Sequence, residues 1–283
     1  MTAPAVQLAS PRRRPSRVIS NVILVLVGLA FVIPLAWIVL GSFNTEAKVS
    51  ITWPSSWTLD NFITISTWDT TFRPLVNSAI LSFGCAVITV VCSVLAAYPL
   101  SRYQMRFNRS LMYVILFGTC LPITAMMVPV YALFVSLNLL NTLWGTVLFL
   151  AATSLPMAIW MTKNFMDSIP VSLEEAAWVD GASAMTALRR IVVPLMRNGI
   201  SVVFIFVFTM AWGNFFVPFV LLFSRENMPA AVAIFGFFGT YGTVAYGQLA
   251  AFSIMYAMPV LVLYLVTQKV SGGSFAMSGA VKG

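Results

Sequence analysis

Histidine is missing from all 283 residues, and charged side chains make up only 8% of them. Without histidine the chain lacks both the usual proton-exchanging group near pH 7 and the commonest metal ligand. No catalytic residue and no metal site is therefore expected. Soluble domains carry about 25% charged residues, so a chain with 60% hydrophobic residues and so few charges has lipid as its main solvent. The three cysteines, Cys85, Cys92 and Cys120, lie inside apolar runs at spacings that suit neither a disulfide framework nor a metal site. A G-x-x-x-x-G-K-[ST] run, which would cradle phosphates, is also absent. This chain is thus expected to hold no cofactor.

What is present is a series of long apolar runs. A helix needs about 20 apolar residues to cross a hydrocarbon core of about 30 Å. Charge-free runs of that length extend over 18–42, 74–101 and 110–162. The third is too long for one crossing even when tilted, and the polar stretch Ser136 to Asn141 (SLNLLN) divides it into helices near 110–135 and 142–162. Helices over 198–223 and 248–268 follow, giving an all-α integral membrane protein of six transmembrane helices. The stretch 227–247 is also uncharged, but its FGFFGTYGTVAYG is dense in glycine. It reads as an external loop, with a re-entrant path left open.

The positive-inside rule predicts that basic residues collect on alternate loops. Segments assigned inside carry Arg12, Arg13, Arg14, Arg17, Arg102, Arg106, Arg109, Lys163, Arg189, Arg190, Arg197, Lys269 and Lys282, thirteen in all, against three outside, Lys48, Arg73 and Arg225. The net charge of +8 therefore reports orientation in a lipid bilayer rather than a nucleic-acid partner. Residues 1–17 form a cytoplasmic tail, 43–73 an external loop, and 270–283 a second cytoplasmic tail, with a five-helix core over 74–269. The N-terminal RRRPSR and its apolar run are read as an uncleaved first helix, since the run exceeds a signal-peptide core and lacks an A-x-A site.

One long inner loop, 163–197, holds half of the acidic residues: Asp167, Glu174, Glu175 and Asp180. Ser172 followed by Glu175 has the spacing of a capping box, which predicts a short helix from Leu173 that Gly181 ends. A second short helix is predicted from the N-cap Ser183 to Val192, with Pro194 opening the next span. The paired alanines of LEEAAWVD let another protein approach the first helix closely. An amphipathic connector at the lipid interface would use Trp178 equally well, and both readings stand on the residues alone.

The run EAAWVDGASAMTALRRIVVPL resembles the EAA loop of the permease subunits of binding-protein-dependent ABC importers. Glu175, Ala176, Ala177, Gly181, Ile191 and Pro194 fall on that pattern, with Val193 where leucine is usual. Within the family the chain is similar to the carbohydrate-uptake branch of MalG-like inner-membrane components, through PLAWIVLGSFNTEA, PSSWTLDNF, NSAILSFGCAVITVVCSVLAAYPLSRY and the ending GAVKG.

The resemblance implies a type I ABC importer permease fold whose EAA helix is a cytoplasmic coupling helix. Glu174, Glu175, Ala176, Ala177, Asp180 and Gly181 would then link mechanically to an ATPase. The implied partners are a second homologous permease subunit, two copies of an ATPase subunit that bind ATP and Mg, and an external solute-binding protein. Polar groups within spans mark candidate pathway residues: Asn77, Thr209, Asn214 and Gln248, each of which could equally bond a neighbouring helix. AWGNFFVPF resembles the family's Trp-Asn-acid-Phe stretch and adds Trp212, whose face could stack on a sugar. It also departs from it, with Gly213 where asparagine is usual and Asn214 where an acid is usual. The expected function is half of the translocation pathway for a sugar or sugar-like solute. A secondary transporter would carry acidic residues within its spans, and a channel or scaffold would have no use for an ATPase-docking loop.

Overall fold

A computed structural model describes residues 15–50, 52–103, 106–119, 122–239 and 244–270. Most of the two predicted tails, Cys120 and the centre of the glycine-dense stretch lie outside these residues. The predicted helix at 18–42 is α1 (Pro15–Ser42). After the short α2 (Asp60–Ile65) and a π-turn at Trp68–Phe72 comes the predicted second helix, α3 (Arg73–Arg102). The predicted fourth and sixth helices are α6 (Leu143–Asp167) and α13 (Tyr246–Val270). These four are long and apolar enough to cross a membrane, and two bent helix pairs raise the number to six if each pair is one span.

The third predicted helix is not continuous. It consists of α4 (Asn108–Gly118) and α5 (Ile123–Ser136), with axes 83° apart. Pro122 stands at the start of α5 with φ −66° and ψ 120°, and it offers no N–H to a helix running through it. SLNLLN makes the predicted turn, with Asn138 and Asn141 at φ 55° and 57°, a region asparagine tolerates better than most residues.

The fifth predicted helix is also broken. α10 (Arg197–Trp212) ends at Gly213, and a separate α11 (Phe216–Leu221) follows. Asn214 Oδ1 accepts a bond from Val217 N at 3.1 Å, so the side chain satisfies a free donor of the new first turn. Pro194 does not open the span either. Ser183 caps α8 (Ala184–Ala187), accepting from Thr186 N at 3.3 Å. A π-turn at Leu188–Val192 and α9 (Val193–Leu195) continue it, and the chain then bends by 79° into α10 at Met196. A proline two residues before the bend is the ordinary cause of such a kink.

α3 is the central element, packed chiefly against α6 and α10, while α1 lies on α13. Lipid removes the hydrophobic drive between helices, so close fit and small polar contacts hold them. Ser93 Oγ meets Thr162 Oγ1 at 3.0 Å, and Thr89 Oγ1 donates to Ala151 O at 3.4 Å. Among its described residues, the stretch 227–247 has no helix long enough to span. It contains α12 (Ala230–Ala233) and a 3-10 turn at Ile234–Phe237.

α6 and α10 are tightly packed where Gly199 faces Phe165: a Cβ there would lie 2.5 Å from the Phe165 ring. Gly199→Ala is therefore expected to destabilise the purified protein by about 1–3 kcal/mol, the usual effect of overpacking. Thermal unfolding in detergent checks this. Gly28→Ala, where a Cβ meets nothing within 4 Å, is the neutral control.

Candidate functional site

The loop at 163–197 begins where α6 ends. Asp167, in the last turn of α6, accepts from Lys163 Nζ at 2.6 Å and from Ser101 Oγ of α3 at 2.5 Å. The first predicted short helix is α7 (Ser172–Val179), and its residues face two ways. The capping box is not formed. Val171 is the N-cap and supplies no side-chain bond; its carbonyl accepts from Glu175 N at 3.1 Å.

Glu174 turns inward and is fully buried. Its Oε1 accepts from Arg102 Nε at 2.5 Å and its Oε2 from Tyr98 Oη at 2.8 Å. Arg102 also donates to Ser101 Oγ at 3.0 Å and to Ile169 O at 3.4 Å. Its position in the last turn of α3 suits a cation, because the carbonyl end of a helix carries partial negative charge. Such a pair tolerates burial only because its polar atoms are bonded. Removing one partner alone typically costs about 3–5 kcal/mol.

Glu175, Ala176, Asp180 and Gly181 are exposed and Ala177 is half-buried. Glu175 and Asp180 make no ion pair among the described residues. Gly181, at φ 87°, ends α7: its N–H bonds Trp178 O at 3.0 Å, and Ala182 N bonds Ala177 O at 2.9 Å. This pair of bonds is the Schellman arrangement, in which glycine fits because a side chain is strained at positive φ.

The five candidate pathway residues are not gathered together. Asn77 is 5% exposed and donates from Nδ2 to Glu226 O at 2.8 Å and Met228 O at 3.0 Å, tying α3 to the loop before α12. Thr209 is exposed on α10, and Asn214 accepts a bond from the first turn of α11. Trp212 is 4% exposed, with its ring stacked on those of Phe208 and Tyr256 at 5.6 and 5.5 Å. It exchanges bonds with Tyr256, Nε1 to the Tyr256 carbonyl at 3.2 Å and Tyr256 Oη to the Trp212 carbonyl at 2.6 Å. The expected free stacking face is thus taken up by the core. The spacing of Phe204, Phe208 and Trp212, four residues apart on one helix face, was the sequence signal for this.

Gln248 lines a cavity. That cavity, of about 630 Å³, lies at the end of the bundle opposite α7 and is bordered by Asp69, Phe219, Phe223, Arg225, Phe235 and Gln248 among others. Asp69 is paired with Arg73 at 2.9 Å, whereas Arg225 has no ion pair among the described residues. The aromatic border continues as a cluster of Phe215, Phe219, Phe235 and Phe238. These phenylalanines escaped the sequence reading because they come from two segments, 215–219 and 235–238, that meet only in the fold.

Gly181→Ala is expected to loosen α7, since a non-glycine residue in the left-handed region costs about 1–2 kcal/mol. Hydrogen exchange at 172–179 should accelerate by about 5- to 30-fold, with α3 and α6 unchanged.

A family model described as binding-protein-dependent transport system inner membrane component matches residues 89–271. The chain is 31% identical over 280 residues to the sulfoquinovosyl glycerol transport system permease protein SmoH of Agrobacterium fabrum, covering 95% of this chain and 94% of that one. It is 33% identical over 233 residues to the trehalose transport system permease protein SugB of Mycobacterium tuberculosis, covering 81% and 84%. Among solved structures, a bacterial ABC transporter involved in the import of the acidic polysaccharide alginate aligns with TM-score 0.79 at 21% identity, over 93% of this chain and 99% of that one, a likeness of fold. With α7 and its Glu-Ala-Ala run inside the matched region, the chain belongs to the family of inner membrane components of binding-protein-dependent transport systems, the multi-pass permease subunits of ABC importers.

Proposed function

We propose that this chain forms half of the translocation pathway of an ATP-driven importer for a sugar or sugar-like solute. The observation that carries the reading is α7: an exposed surface of Glu175, Ala176 and Asp180, stopped sharply by Gly181, at the end of the bundle where α3 and α6 finish. The small side chain of Ala176 leaves room for a partner's surface, and the two free carboxylates offer charge. On this reading α7 fits a cleft on one of two ATPase subunits, and those subunits bind ATP and Mg.

On this reading the α7 end and both termini lie in the cytoplasm, an orientation supported by thirteen basic residues against three. The cavity beside Gln248 then faces outward, where an external solute-binding protein delivers its cargo against that end and the segment 43–72. Its mixture of aromatic faces and polar groups suits a sugar, which offers both C–H faces and hydroxyls. A second, homologous permease closes the other side. The relatives' names, trehalose and sulfoquinovosyl glycerol, support this class of solute.

Mild detergent extraction of the chain together with its native partners tests the reading. An ATPase should co-purify with the wild type and be lost from the double variant Glu175→Lys, Gly181→Trp, both chains inserting equally. An unchanged complex, or no ATPase in either sample, would instead favour a channel or scaffold without ATP coupling.

A further inference from the structure

Among the described residues, Glu174 is the one buried side chain of α7. Leu173, Trp178 and Val179 are exposed, Val179 by 88%, so no apolar face fastens this helix to the bundle. Beside its contacts with α8 and the π-turn at Leu188–Val192, the side-chain fastening of α7 is polar and comes from α3. Tyr98 and Arg102, one turn apart on α3, take both oxygens of the Glu174 carboxylate.

The segments on either side of α7 meet the same stretch of α3. Ile169 before it and Leu188 after it are buried in one cluster with Val94, Ala97 and Tyr98. The direct chain connections are less firm, since a short turn separates α7 from α6 and the 79° bend separates α9 from α10. α3 itself runs for 30 residues, roughly 45 Å at 1.5 Å per residue. Its other end brings Pro74, just after Asp69 and Thr70 of the π-turn, to the wall of the cavity.

We infer that Glu174 is a positioning residue rather than a docking residue: it clamps α7 to the end of α3, so that movement of α7 is delivered through α3 to the cavity wall. The inference rests on the importer reading above and deepens it. It separates the two adjacent glutamates by task, Glu175 facing the partner and Glu174 holding the lever.

The test uses the complete importer in nanodiscs with Glu174→Gln and Tyr98→Phe, two changes that keep side-chain shape. The readouts are the ATPase retained, the stimulation of hydrolysis by solute-loaded binding protein, and the solute moved per ATP. Retained ATPase is expected in both variants. Stimulation should fall about tenfold in Glu174→Gln, the scale of one charged hydrogen bond, and less in Tyr98→Phe, with solute per ATP falling in step. A purely structural role would lower assembly and coupling together. Loss of the ATPase from either variant would make Glu174 a docking residue and overturn the inference, as would undiminished stimulation.

A nitroxide on Val179→Cys, in permease alone with Cys85, Cys92 and Cys120 replaced, reads the clamp without any ATPase. Glu174→Gln should sharpen its spectrum, and an unchanged spectrum overturns the clamp. A sharpened spectrum in a protein whose wild type binds no ATPase would sink the importer reading and leave the clamp standing.

Discussion

The ion pair between Glu174 and Arg102 constrains this structure more than any other contact. A carboxylate and a guanidinium withdrawn from water are tolerable only when their polar atoms find partners, and the partners are fixed in space. Tyr98 must stand one turn before Arg102, Ser101 must reach Asp167, and Ile169 must present its carbonyl. Beside them, the bond from Ser101 of α3 to Asp167 of α6 holds the ends of those two helices at one height. These conditions also orient α7, whose other side chains leave its rotation free.

The opposite end of the bundle is closed by different chemistry. There asparagine side chains bond loop backbone: Asn61 to the carbonyls of Ser42 and Asn44, Asn77 to those of Glu226 and Met228. Asn141 accepts from Phe223 N and Ser224 N at 3.2 and 3.0 Å. An amide satisfies buried backbone groups without the desolvation penalty of a charge. One end is therefore clamped by a buried charge pair and presents a helix, while the other is tied by asparagine bonds to loop backbone around a cavity.

The helices were legible where composition alone decides. Runs of 20 apolar residues and the clustering of arginine gave the number of crossings, and Ser183, Gly181 and SLNLLN gave caps and turns with a mechanism. Breaks within spans were not legible. Pro34, Pro99, Pro129, Pro156 and Pro259 lie inside intact helices, whereas Pro122 and Pro194 mark bends. In a membrane, neighbouring helices can satisfy the backbone groups a proline frees, so its effect depends on packing that one sequence does not display. The capping box failed for a related reason: local spacing favoured Ser172 as a cap, and the tertiary demand on Glu174 moved the helix start by one residue. Two adjacent glutamates look alike in sequence, and only the position of Arg102 distinguishes them.

The same argument bears on the candidate pathway. Where the family pattern has an acid, this chain has Asn214, and the side chain is spent on the first turn of α11. The consequence is architectural. A helix ending at Trp212 and restarting at Phe216 carries Phe219 and Phe223 to the cavity wall, where an unbroken α10 would have continued along its own axis. Polarity that the sequence places at the middle of a span therefore accompanies a break in the helix, with Asn214 bonded to the turn that follows. Asp69 is already paired with Arg73, whereas Arg225 has no ion pair among the described residues and lines the same cavity as Gln248. On the importer reading proposed above, that rim is where this subunit would meet its solute.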